Sequence, residues 1–231
     1  MLDLKLEAIA TDVDGTLTDS TLNISCKAIE AIRKAEKNKV SVLLVSGNAL
    51  HVLRTLKTYI GCSGALVAET GAVIAYNSEL KILGDKKEST KVLKTLKRKF
   101  GSKIQELWSN PFRYADVAFR KTVDKKIILK ALASYPNLKL LDSGYAYHIM
   151  NKNLDKGKGL AVAAKLMKIP KENIAAIGDS IIDIELLKMS GFGIALQNAP
   201  PALNSTATYV TKKRYGEGFA EAVNFLLSQY I

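Results

Sequence analysis

The sequence predicts an α/β fold: a doubly wound, Rossmann-like parallel sheet as the core, with a smaller α+β domain inserted into it. Three observations predict it. Short apolar runs alternate with amphipathic helical segments at both ends of the chain. The runs that begin near Leu6, Val40 and Ile174 end in polar, glycine-containing turns, as strands of such sheets do. A lysine-rich stretch in the middle breaks the alternation, which then resumes.

Leu6–Thr11 reads as the first strand and ends in the acidic turn Asp12–Gly15. A helix over Ser25–Asn38 follows, with Ser25 expected as its cap and Ala28, Ile29, Ile32 and Ala35 at helical spacing. Val40–Val45 is a continuous β-branched and leucine run, the pattern of a strand covered on both faces. Ser46-Gly47-Asn48 breaks it, a helix is expected over Ala49–Ile60, and a strand over Ala65–Glu69 leads into a hairpin through Gly71–Tyr76. That βαβαβ layout calls for a parallel sheet.

Within residues 81–152, helices are expected over Lys86–Phe100 and Asp124–Tyr135, and strands over Tyr114–Phe119, Leu138–Asp142 and Ala146–Met150. From Asp155 the core pattern returns: helix Gly157–Met167, strand Ile174–Gly178, helix Asp183–Met189, strand Phe192–Leu196 and a terminal helix over Gly218–Ser228. The domain reading is therefore residues 1–80 plus 153–231 as core and 81–152 as insertion.

Composition narrows the function classes. With 231 residues, 48% hydrophobic and 24% charged, the chain is of ordinary globular type, and no apolar run is long enough to span a bilayer. Met1–Thr11 lacks the basic and apolar regions of a secretion signal, and Cys26 and Cys62 show no CxxC spacing. A reducing cytoplasm is the expected location. The net charge of +12 is concentrated: residues 81–152 hold 17 basic and 6 acidic side chains, net +11, against 17 and 16, net +1, in the rest. Such a charge suits nucleic acid, an anionic membrane surface or an anionic small substrate. No recognised nucleic-acid motif accompanies it, and Trp108 and the nine tyrosines show no aromatic and basic interleaving.

The chemistry resides in four short segments. Asp12-Val13-Asp14-Gly15-Thr16 places two carboxylates at a strand's C-terminal end, where doubly wound sheets bind ligands. Alone, such a segment is accounted for by an acidic β-turn. Gly178-Asp179-Ser180-Ile181-Ile182-Asp183 brings two more acids to the same edge, and four converging carboxylates require a cation; hard oxygen ligands suit Mg²⁺. Asp155-Lys156-Gly157 opens a helix with a lysine beside free amides, a setting for phosphate, and Ser46 adds a hydroxyl donor.

In this order, the four segments resemble the signatures of the haloacid dehalogenase superfamily of aspartate-nucleophile phosphohydrolases. The insertion lies where some members carry an α+β cap of the C2 type. Asp142–His148 and Thr211–Gly218, with the Ser-Gly-Asn form of the second signature, are similar to those of the archaeal phosphoglycolate phosphatases. The resemblance covers essentially the whole chain and departs at Ile182, where the family pattern has Asn; a polar contact near the metal is expected to be lost there.

The resemblance implies a Mg²⁺-dependent phosphomonoester hydrolase, with 2-phosphoglycolate as the expected substrate. Asp12 is the implied nucleophile and Asp14 the general acid and base. Ser46, Gly47 and Lys156 are the implied phosphate-binding residues, and Asp12, Asp14, Asp179 and Asp183 the metal ligands, the last through water. Four carboxylates and one lysine sum to −3, Mg²⁺ brings the sum to −1 and a protonated Asp14 to 0, so substrate binding is expected to need the metal.

The expected partner is a small anionic phosphate ester, with neither membrane nor nucleic acid; a homodimer is compatible with this reading. A sugar-phosphate phosphatase, a phosphotransferase using the same four segments, and a basic nucleic-acid-binding protein stand as alternatives. Arg113 and Arg120 are candidate carboxylate partners because guanidinium engages two oxygens. His51 and His148 are expected as packed or surface residues, Glu69 as a turn cap, and Asn198 as either a loop residue or a hydrogen-bonding partner of Asp179.

Overall fold

A computed structural model describes residues 5–230. In chain order its strands are β1 (Ala8–Thr11), β2 (Ser41–Val45), β3 (Leu66–Ala68), β4 (Val73–Tyr76), β5 (Glu79–Ile82), β6 (Val117–Phe119), β7 (Leu138–Asp142), β8 (Tyr147–Asn151), β9 (Ile174–Gly178), β10 (Phe192–Ala195) and β11 (Tyr209–Val210). The α-helices are α1 (Cys26–Lys37), α2 (Leu50–Ile60), α3 (Lys87–Phe100), α4 (Lys125–Leu132), α5 (Lys156–Met167), α6 (Ile184–Met189), α7 (Pro201–Asn204) and α8 (Tyr215–Tyr230). The chain divides into two compact units, Met1–Leu80 with Asp155–Ile231, and Lys81–Leu154.

The first unit is built on a sheet of order β11-β10-β9-β1-β2-β3-β4-β5. β1 pairs in parallel with both β2 and β9, so the chain reverses its winding direction at β1. Such a reversal opens a crevice at the C-terminal strand ends. The central strands are buried on both faces, which is why they read as unbroken apolar runs. One face packs Ala8, Ala10, Leu43, Val45, Ile174 and Ala176 against Leu160 and Ala163 of α5 and Leu186 and Leu187 of α6.

The second unit is an antiparallel sheet of order β6-β8-β7. α3 and α4 cover one face through Val92, Leu93, Leu96, Ile128 and Leu132, which meet Val117, Phe119, Tyr147 and Ile149. The unit therefore has an apolar core of its own.

Three details differ from the sequence reading. Ser25 occupies the N-cap position of α1 with extended backbone, but its side chain makes no capping hydrogen bond. Asp124 and Asp155, by contrast, do cap α4 and α5, accepting from the backbone N–H groups of Lys126 and Lys158. β5, β11 and α7 were not expected. β5 is exposed at every position and so carries no burial signal, while β11 has two residues and α7 four, too few for a periodicity.

Candidate active site

Three strand ends and one helix start converge. Asp12 continues β1, its N–H donating to Ile177 O at 3.0 Å, and Val13 O accepts from the N–H groups of Thr16, Leu17 and Thr18 in the following turn. Gly15 adopts φ +87°, and a Cβ there would lie 2.4 Å from Asp179 Oδ2. Only glycine lets the first turn approach the Asp179 carboxylate this closely.

Lys156 opens α5 fully buried and donates from Nζ to Asp12 Oδ1 at 2.7 Å and Asp183 Oδ1 at 2.5 Å. The other oxygen of Asp183 accepts from the backbone N–H groups of Asp179 and Ser180 and from the Ser180 hydroxyl. Asp179 is held through both oxygens: Thr16 Oγ1 donates to one at 2.9 Å and Asn198 Nδ2 to the other at 3.1 Å. Asn198 also donates to Gly15 O and accepts from Tyr215 N–H, so it ties the first turn, Asp179 and the start of α8 together. Ile182 is half-buried. Both aspartates of its segment keep these hydrogen bonds with isoleucine at that position.

Ser46 directly follows β2 and is fully buried, and its Oγ accepts from the backbone N–H and the Nδ2 of Asn48. Asn48 Nδ2 also donates to Asp14 Oδ2 at 2.7 Å. Gly47, between them, is half-buried.

Carboxyl oxygens of Asp12, Asp179 and Asp183 lie within 4.8 Å of one another. Burial raises the Asp12 pKa well above the usual range; Lys156 opposes the shift, while Asp183, Asp179 and Asp14 reinforce it. Asp179 is pushed up to about 6, first by burial and then by Asp183. Burial also raises Asp14, against the pull of Lys156 and of hydrogen bonds from Asn48 and Ser46. Lys156 is raised: burial alone would lower it, and the charges of Asp12 and Asp183 overcome that effect. A hard divalent cation fits this oxygen cluster, because it removes the repulsion that raises Asp12 and Asp179. The donors best placed to take it directly are Asp12 and Asp179, since Asp183 is the most heavily engaged of the three, accepting from Lys156 on one oxygen and from three donors on the other.

The structure thus gathers Asp12, Asp14, Ser46, Lys156, Asp179 and Asp183 at one edge, and adds Thr16 and Asn48, whose contacts cross 163 and 34 residues of sequence. Glu69 is fully buried in a turn rather than simply capping one. The second unit keeps Arg113 to itself: its Nη1 lies 2.7 Å from Asp116 Oδ1, with His148 Nδ1 at 2.8 Å from the other oxygen. All three side chains are buried, so Arg113 is committed to Asp116, whereas Arg120 is exposed. Burial opposes ionisation of Asp116, but the Arg113 charge and the His148 hydrogen bond outweigh it and hold the pKa down at about 2.

Comparison with known proteins bears on this geometry. Residues 9–83 and 141–223 match the family described as haloacid dehalogenase-like hydrolase. The phosphoglycolate phosphatase of Archaeoglobus fulgidus is 38% identical over 96% of this chain and 97% of its own length. That of Methanothermobacter thermautotrophicus is 35% identical over 94% and 97%. A crystal structure from Thermoplasma acidophilum superposes with a TM-score of 0.87 at 28% identity, covering 96% of this chain and 98% of that one.

Proposed function

We infer that this chain, which belongs to the haloacid dehalogenase-like hydrolase family, is a phosphoric monoester hydrolase whose substrate is 2-phosphoglycolate. The observation that carries the chemistry is the buried Asp12–Lys156–Asp183 bridge beside Asp14 and Asp179. Support for the substrate comes from relatives named phosphoglycolate phosphatase that match nearly the whole chain.

In this reading an Asp12 carboxylate oxygen attacks phosphorus as the P–O bond to the substrate alkoxide breaks. Asp14 gives its proton to that alkoxide, then takes one from the water that attacks the aspartyl-phosphate, releasing phosphate and restoring Asp12. Lys156 opposes protonation of Asp12 and orients it, and the Ser46 hydroxyl, Gly47 and Lys156 receive the phosphoryl oxygens. Mg²⁺ would be held by Asp12, the Asp14 carbonyl and Asp179, with Asp183 reached through water; when bound it supplies positive charge that lets a phosphate dianion approach four carboxylates.

The unit Lys81–Leu154 is assigned the choice of substrate. No helix of the described residues is long and apolar enough to cross a membrane. Cys26 and Cys62 are free thiols, in keeping with a reducing cytoplasm.

Steady-state phosphate release from 2-phosphoglycolate, sugar phosphates and p-nitrophenyl phosphate, each with Mg²⁺ and with EDTA, tests this reading. Metal-dependent preference for 2-phosphoglycolate is expected. Faster turnover of hexose phosphates at matched concentration replaces the substrate, and EDTA-resistant turnover rejects the mechanism.

A further inference from the structure

The side chain of Asn48 is built into the site more tightly than a loop residue needs. Its Nδ2 carries two hydrogens, and both are spent: one on Asp14 Oδ2 at 2.7 Å, the other on Ser46 Oγ at 3.1 Å. An ionised Asp14 requires this amide orientation, because only the nitrogen can donate to a carboxylate oxygen. The backbone is pinned as well. Asn48 O accepts from Glu69 N–H at 3.0 Å, and Ser46 O accepts from Thr70 N–H at 3.1 Å.

Those two donors come from a strained turn. Glu69, Thr70 and Gly71 have φ of +51°, +55° and +91°, and for a β-branched residue such as Thr70 this is an outlier. A Cβ on Gly71 would lie 1.9 Å from Asp155 O, so the same turn abuts the start of α5, where Lys156 projects. Left-handed backbone of this kind persists where the surroundings over-determine it, and it clusters at functional sites.

We propose that Asn48 is the positioning residue that sets the hydrogen-bond polarity of Asp14 and Ser46. With Asp14 Oδ2 accepting from Asn48, the proton that Asp14 delivers is left to Oδ1. Ser46 Oγ accepts twice from Asn48, so its own hydrogen is left to donate; here it goes to Asp14, and with substrate bound a phosphoryl oxygen takes it. The inference rests on the role of Asp14 given above: as the P–O bond to the alkoxide breaks and the Asp12–phosphorus bond forms, Asp14 Oδ1 passes its proton to the leaving oxygen and becomes a carboxylate.

The leaving group distinguishes positioning from structure. An alkyl ester needs that proton, whereas p-nitrophenolate departs without it. Single-turnover release of the leaving group is therefore measured with enzyme in excess, for 2-phosphoglycolate and for p-nitrophenyl phosphate, in Asn48→Ala, Asn48→Asp and Asp14→Asn. Both Asn48 variants are expected to slow the alkyl ester about 10²-fold while slowing the aryl ester only a fewfold. Asn48→Asp nearly preserves shape and should behave as Asn48→Ala does, because the amide hydrogens are what matter. Equal slowing of both esters, or of neither, by the Asn48 variants overturns the proposal. If Asp14→Asn alone shows the leaving-group bias, the general-acid reading stands without Asn48; if it too shows none, that reading itself fails.

Discussion

At the scale of single residues, the decisive quantity is the concentration of buried negative charge. Asp179 is pushed up to about 6 because burial and Asp183 disfavour its ionised form. A carboxyl whose folded pKa is raised contributes stability that is fully present below the unfolded value of 3.8 and lost as pH rises through about 6. Metal-free protein is therefore expected to be strained at pH 7.5, and the increase in Tm on adding Mg²⁺ should be larger at pH 7.5 than at pH 5. Asp179→Asn removes the offending charge: the metal-free Tm should rise by roughly 5 °C at pH 7.5 while the Mg²⁺-induced shift disappears. A metal-induced shift equal at both pH values would show that this carboxylate is not what the cation relieves.

Lys156 is the counterpart. It is buried and bridges Asp12 and Asp183, so Lys156→Met leaves two carboxylates without their cation. A loss of about 3–5 kcal/mol in denaturant unfolding is expected, together with loss of turnover. Lys156→Arg should not restore activity, since a planar fork does not fit a point charge's place. Asp12, Asp14, Ser46, Asp179 and Asp183 were legible because each stands beside an apolar run in the sequence, and Lys156 because it opens a helical segment. Thr16, Asn48 and the choice between two roles for Asn198 were not. Their hydrogen bonds close only when β1, β2, β9 and the segment after β10 are already assembled.

At the scale of elements, the turn after β3 couples two parts of the site that are distant in sequence. It donates to the backbone of Ser46 and Asn48 on one side and presses Gly71 against Asp155 on the other. Gly71→Ala adds a Cβ at a left-handed φ and against backbone, so both Tm and kcat should fall, the latter through displaced α5 and Lys156. Thr70→Gly leaves the donated hydrogen bonds in place and removes side-chain strain, which is on the order of 1–3 kcal/mol at such a position. It should retain kcat/KM and match or exceed the parent Tm. A Thr70→Gly protein with badly impaired turnover would mean that the side chain, and not the backbone, serves the site. A turn at the end of this strand was legible, with Glu69 as its cap and Gly71 beyond it; the left-handed backbone of Glu69 and Thr70 was not, because neither residue type signals it. In contrast, β2 and β9 were readable from their continuous apolar runs, which is what burial on both faces imposes.

At the scale of the whole molecule, charge is divided unevenly between the two units. Residues 81–152 carry a net +11, and the rest +1. Four of the six acids in that segment, Asp85, Glu106, Asp116 and Asp142, are spent on neighbouring cations. Lys91, Lys94, Arg98 and Lys99 of α3 and Lys125, Lys126 and Lys130 of α4 have exposed side chains. A surface of that sign raises the encounter rate of a substrate carrying both phosphate and carboxylate, and salt screens it with a Debye length of about 10 Å at 0.1 M. Raising ionic strength from about 20 to about 200 mM should therefore lower kcat/KM for 2-phosphoglycolate on the order of 3–10-fold while leaving kcat nearly unchanged. Replacing Lys91, Lys94 and Arg98 together by Glu should flatten that salt dependence without altering kcat, because none of the three belongs to the catalytic cluster. A salt response that is carried by kcat, or that survives the triple substitution intact, would assign the excess charge to solvation of α3 and leave substrate capture to the site's own cations.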